Sequence, residues 1–213
     1  ERIRIVRDRE ITSAFELLLH RDLDGDRDKI WQIGKARQRN EIKGYQGSVD
    51  ALKGYENQIH LIKWHFKIGE TFKITKEFCH FFQLKAVGTH NVDAPILTLS
   101  GVIQKRTPQL QLQCWKGDKS ERHFLADWEA CRGKWLQCTM QCQYGKMGSY
   151  KFSIQSLDST IEKTVNQKDF PSWREGFEFV RPKWGIYRSL ATVKNQLNPV
   201  DSVFLNHFSI QKR

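Results

Sequence analysis

The chain has 213 residues, enough for one domain with its own core and no stapling metals or bridges. Hydrophobic residues make up 39% and aromatics 12%, and no apolar run approaches the ~20 residues of a membrane span, so neither a disordered chain nor a spanning helix fits. The net charge is +11, and +10 of it lies in residues 51–213, where 24 basic residues face 14 acidic ones; a field of that sign, carried by the body of the domain, favours an anionic partner.

Patterns with a helical period are scarce, and short alternating apolar runs between turns dominate. In chain order the runs are Phe15–His20, the short Lys29–Ile33, Arg37–Lys43, and His60–Ile68 with Ile62, Trp64, Phe66 and Ile68 on one face. Glu77–Val87, Ile96–Ser100, Gln109–Trp115, Trp135–Tyr144 and Tyr150–Leu157 follow, and Lys183–Ser189 and Ser202–Gln211 close the chain. One helical turn is expected at Ser172–Gly176. Roughly a dozen short strands predict an all-β jelly-roll sandwich of two antiparallel sheets, a single domain over residues 1–213, with one curved sheet forming a concave groove.

Residues two apart on a strand share a face, and three segments become informative under that rule. Arg37, Arg39, Glu41 and Lys43 share one face, with Gln38, Asn40 and Ile42 behind; four charges on one strand face cannot enter a core unpaired. Gln83 and Lys85 share a face while Phe82, Leu84 and Ala86 turn inward. Lys183, Gly185, Tyr187 and Ser189 share a face opposite Trp184 and Ile186, and Gly185 leaves room for a closely approaching ligand. Each segment alone also fits an ordinary solvated strand face. His80 falls opposite Gln83 on a regular strand and reads as a core histidine, which a bulge would reverse; His20, His60 and His65 are further candidate bases.

The five cysteines (Cys79, Cys114, Cys131, Cys138, Cys142) form no C-x-x-C pair, which argues against a zinc ribbon. Cys138 and Cys142 lie ~13 Å apart along a strand, too far to bridge each other. Long-range bridges involving Cys114 and Cys131, or buried free thiols, both remain open. The acidic run Asp22, Asp24, Asp26, Asp28 has Ile33 where an EF-hand requires glutamate. A solvated turn is the favoured reading and a structural calcium stays open; no metal ligand or required cofactor is assigned. P-loop, nucleophile-elbow and zincin motifs are absent, as are the marks of nucleic-acid-binding modules.

The three segments resemble the signatures of jelly-roll polysaccharide lyases, the alginate lyases, heparin lyase I and the glucuronan lyases. Arg39, Glu41 and Lys43 match R-[ST]-E-L-R with lysine for the last arginine. Gln83 matches Q-[IV]-H, with Lys85 where histidine is expected, and Lys183, Gly185 and Tyr187 match Y-F-K-x-G-x-Y with Arg181-Pro182 leading. The stretch from Asp26 to Ile210 also resembles secreted relatives of heparin lyase I.

The resemblance implies β-elimination at a uronate: the C5 proton leaves, the 4-O-glycosidic oxygen departs and an unsaturated sugar remains. Arg39 and Gln83 would offset the charge that develops on the carboxylate. Tyr187 would protonate the leaving oxygen, and Lys85 or Tyr187 would take the C5 proton, helped by neighbouring cations. Arg37, Glu41, Lys43, Lys183, Ser189 and His80 would line the substrate site. The expected partner is an acidic polysaccharide, with no nucleic acid or membrane, for a secreted monomer. A non-catalytic module that binds anionic glycans is the rival, favoured by the missing histidine at Lys85.

Overall fold

The computed structural model describes residues 1–25, 36–191 and 194–213. The Lys29–Ile33 run, together with Asp26 and Asp28, lies outside them. Among the described residues thirteen strands form two antiparallel sheets. One has seven strands in the order β1 (Ile3–Asp8), β2 (Thr12–His20), β13 (Val200–Lys212), β4 (Ile59–Ile68), β9 (Trp135–Gln143), β10 (Gly148–Ser156) and β11 (Glu162–Phe170). The other has six, in the order β3 (Arg37–Lys43), β12 (Phe177–Ser189), β5 (Cys79–Gly88), β6 (Leu97–Gln104), β7 (Thr107–Lys116) and β8 (Lys119–Asp127). This is the jelly-roll sandwich that the alternating runs predict. No helix of the described residues is long and apolar enough to cross a membrane.

The alternation on each strand sets its inner face. Ile62, Trp64, Phe66 and Ile68 of β4 are all buried between the sheets. Trp64 stacks on Phe82 of β5 with centroids 4.3 Å apart, and edges against Trp184 of β12 at 6.5 Å. The core also holds an ion pair: Arg188 of β12 donates to Asp201 of β13, and its Nε donates to Gln38. That pair joins the two sheets beneath the face described below.

Several expectations change. Strands β1, β8 and β11 carry too many polar residues to stand out as alternating runs, yet all three are strands. Glu162–Phe170 and Ile3–Asp8 are edge strands, which need only one hydrogen-bonded neighbour and little apolar surface. Ser172–Gly176 is not helical. Gly176 takes φ +87°, and the Ser172 hydroxyl donates to the Gln143 carbonyl while it accepts from the Gly145 amide. Among the described residues the one short α-helix, α1 (Trp128–Cys131), lies elsewhere. All five cysteines are free and buried, so no bridge forms at Cys114 or Cys131. Burial pushes the Cys79, Cys114 and Cys131 thiols up to about 12, which keeps them inert. In the acidic turn, Asp22 pairs with Arg21 and Lys194, and Asp24 pairs with Arg2 and His20.

Gly185 also has a different reason from the expected one. It sits in a bulge of β12 at φ +135°, and a Cβ there would overlap the Asn40 carbonyl oxygen of β3 and come within 2.9 Å of Glu41 Cα. The missing side chain admits the neighbouring strand, not a ligand. Gly185→Ala is therefore expected to destabilise the fold by more than about 1 kcal/mol through strained backbone and a displaced β3, read as a lowered midpoint in urea. An unchanged midpoint would contradict the close approach.

Candidate functional site

The three motif segments occupy three adjacent strands, β3, β12 and β5. Their register sets Lys43 beside Lys183, Glu41 beside Gly185, Arg39 beside Tyr187 and Arg37 beside Ser189. On the other side of β12, Lys183 faces Gln83 and Tyr187 faces His80. All these side chains project from the outer face of the six-stranded sheet. The edge strand β3 is held by the residues behind that face. The Gln38 amide donates to the carbonyls of His20, Arg21 and Asp24, and Asn40 donates to those of Arg2 and Leu18. Those bonds clamp β3 to β2, so its charged residues start from a fixed backbone.

Glu41 is the hub. Its Oε1 accepts from Gln83 Nε2 at 2.6 Å, and its Oε2 lies 2.6 Å from Lys183 Nζ and 3.4 Å from Arg39 Nη1. The Lys183 and Glu41 side chains are only 3% and 4% exposed. Burial lowers the Lys183 pKa to about 8, against the pull of Glu41, which favours its charge. The Gln83 amide orientation follows from its partner, because only its NH₂ end can face a carboxylate. Among the described residues the Gln83 side chain has one hydrogen-bond partner, Glu41, so a second N–H is left to meet a ligand.

Tyr187 lies within a cationic cage. Arg37 Nη1 donates to its hydroxyl at 2.9 Å, the Arg39 guanidinium lies 4.1 Å from its ring centroid, and Lys183 Nζ lies 5.5 Å away. Phe78 packs on the ring at 5.1 Å and stacks on His80 at 4.6 Å. Positive charge around the phenolic oxygen stabilises negative charge that develops there.

His80 is the main correction to the sequence reading. The expected core position assumes a regular strand, but β5 carries one extra residue at Phe81 relative to β6, and β12 slips between Trp184 and Tyr187. The bulge sends Phe81 into the core against Phe66, Phe72 and Trp128 and turns His80 onto the face of Gln83. There the His80 ring lies 6.0 Å from that of Tyr187. Its Nδ1 is 2.8 Å from Ser100 Oγ, which is 2.9 Å from Thr98 Oγ1. Thr98 is buried, and its hydroxyl proton has no acceptor among the described residues other than Ser100. The satisfied arrangement runs Thr98 to Ser100 to His80 Nδ1, and it leaves Nε2 carrying the ring proton as a donor. Burial, then Lys183, Lys85 and Arg37, pushes the imidazole pKa down to about 3, so His80 is neutral above that pH.

Lys85 shares this face, but its ammonium donates to the Asp93 carbonyl at 3.0 Å, and burial lowers its pKa. Lys43 is exposed at the far end of the row. The buried Ser189 accepts from the Ala191 amide at the end of β12, which is a strand-end role. The other histidines stand apart: His20 pairs with Asp24, His60 is buried against Tyr144, and His65 packs on His207 in the seven-stranded sheet. Ser100, Thr98 and Phe78 belong to the site region and were not foreseen; the Thr98-x-Ser100 alternation in a buried strand was the available signal.

No family model matches the chain, and no curated protein matches it. Solved structures do. The endo-β-1,4-glucuronan lyase of the fungus Trichoderma reesei matches with TM-score 0.60 and 13% identity, over 98% of this chain and 85% of the other. An alginate lyase of Pseudomonas aeruginosa matches at 0.62 and 12%, over 98% and 86%. An alginate lyase of Aplysia kurodai matches at 0.57 and 11%, over 100% and 87%. The chain therefore has the jelly-roll fold of the polysaccharide lyases, as the three motifs suggested.

Proposed function

We propose that the protein is a polysaccharide lyase that cleaves a uronate-containing polymer by β-elimination. The observation that carries this reading is the convergence of Arg39, Gln83, His80 and Tyr187 on one sheet face from three adjacent strands. The structural likeness to glucuronan and alginate lyases supports it. Arg39, the unpartnered N–H of Gln83 and the Nε2–H of His80 bind the uronate carboxylate and offset the charge that grows as the C5 proton leaves. Tyr187, as a phenolate that accepts from Arg37, takes the C5 proton, and the phenol so formed gives that proton to the departing 4-O oxygen. Lys183 and Glu41 hold Gln83 and Arg39 in place. A polymeric substrate places the work outside the cell.

The test is ultraviolet absorbance of the unsaturated uronate product against a panel of acidic polysaccharides. A rise on one polymer supports the reading. No rise on any, with salt-sensitive retention on one, favours a glycan-binding module instead.

The neutral His80 donor gives a sharper prediction. His80→Gln keeps an N–H on the same face and is expected to retain much of the turnover, whereas His80→Ala loses roughly 10–100-fold, as expected for one donor to a developing charge. The wild-type rate should show no limb near pH 6.5, because the imidazole does not titrate there. A limb near pH 6.5 that His80→Gln removes would make His80 the base and overturn this role.

A further inference from the structure

The outer face of the six-stranded sheet continues past the three motif strands to the opposite edge, at β8. Two ladder rows cross it in register. One runs from Gln83 through Thr98 and Gln113 to Arg122, the other from His80 through Ser100 and Gln111 to Phe124. In these rows β6 and β7 present hydroxyls and amides, so a polyanion that leaves Gln83 along them meets no cation until Arg122. Three strand spacings separate Gln83 from Arg122, ~14 Å, the length of a few sugar rings.

The β8 ends of the two rows carry the groups that recognise a uronate. Arg122 is exposed and makes no hydrogen bond or ion pair among the described residues. Alternation turns its neighbours Glu121 and His123 to the other side of β8, where Glu121 pairs with Lys116 and His123 meets the Tyr150 hydroxyl. Asp127, the other carboxylate of the strand, lies beyond Phe124 at the far end. Phe124 shares the face of Arg122 and is 47% exposed. Two residues apart on one strand, the two side chains start ~7 Å from each other, within the reach of one sugar residue. A guanidinium takes a carboxylate through two parallel N–H···O bonds, and an exposed ring takes the apolar face of a pyranose.

We infer that the β7–β8 hairpin is a second uronate subsite, in which Arg122 binds the carboxylate and Phe124 packs on the ring, a few sugars along the chain from the uronate at Gln83. This inference rests on the reading of the β3–β12–β5 end as the first uronate site. The test is calorimetry at one fixed salt with oligomers of glucuronate and of mannuronate, each series from the disaccharide upward. In the series that binds, affinity is expected to step up roughly tenfold at the length that reaches Arg122. Arg122→Gln should remove that step while the shortest oligomers bind as before, and Phe124→Ala should shrink it. Lys119→Gln takes an equal charge from the same hairpin and should leave the step intact. A step that survives Arg122→Gln, a step lost equally in Lys119→Gln, affinity that does not step with length, or no binding of either series overturns the inference. Product absorbance is read in the same samples. A rise without an Arg122-dependent step sinks only the second subsite, and an Arg122-dependent step without any rise sinks only the elimination chemistry.

Discussion

Tyr187→Phe is expected to lower the elimination rate by roughly 10²–10⁴-fold while retention on the polymer persists. The substitution keeps the ring on which Arg39 lies at 4.1 Å and which Phe78 contacts at 5.1 Å. It removes only the oxygen to which Arg37 donates. Packing and cation–π contact therefore survive, and the proton-transfer group is lost. Stopped assays for unsaturated product, paired with affinity electrophoresis on the same polymer, separate the two effects. Cleavage that continues undiminished would take the proton transfers away from Tyr187 and pass them to Lys85. A protein with no turnover to lose and no change in binding would be a lectin.

Glu41→Ala is expected to cost on the order of 3–5 kcal/mol of folding stability, measured by urea denaturation. The carboxylate is nearly inaccessible, and its removal takes from the Lys183 ammonium, itself 3% exposed, its one ion-pair partner among the described residues. Lys183 already has its pKa lowered to about 8 by burial, with Glu41 opposing that shift. Without Glu41 it deprotonates at still lower pH. Gln83 loses the acceptor that orients its amide, so residual turnover should fall even in molecules that stay folded. A second change, Lys183→Met in the Glu41→Ala background, removes the stranded charge and should recover much of the stability but none of the turnover. A loss under about 1 kcal/mol for Glu41→Ala would mean that the carboxylate is solvated and not the hub of the site.

The sequence made most of this legible where strand alternation was clean. The β4 face of Ile62, Trp64, Phe66 and Ile68 lies in the core, and Arg39, Glu41, Gln83, Lys183 and Tyr187 project from the opposite face. These assignments need only the period of two, which is a local property of extended backbone. Polar edge strands such as β11 were missed because a strand at the rim can be stabilised by one ladder of backbone bonds with few apolar side chains.

The sequence by itself determined the all-β class, the faces of the three motif strands and the excess of basic charge. The tertiary structure alone decided that β3 and β5 flank β12, so that residues from 39 to 187 meet in one row. It also decided that His80 joins them, because a bulge inserts one residue and reverses every face assignment beyond it. It likewise placed Arg188 against Asp201 in the core, where strand spacing alone shows an inward charge but not its partner on the opposite sheet. Periodicity is encoded within a strand, whereas strand neighbours, bulges and charge partners depend on contacts between residues far apart in the chain.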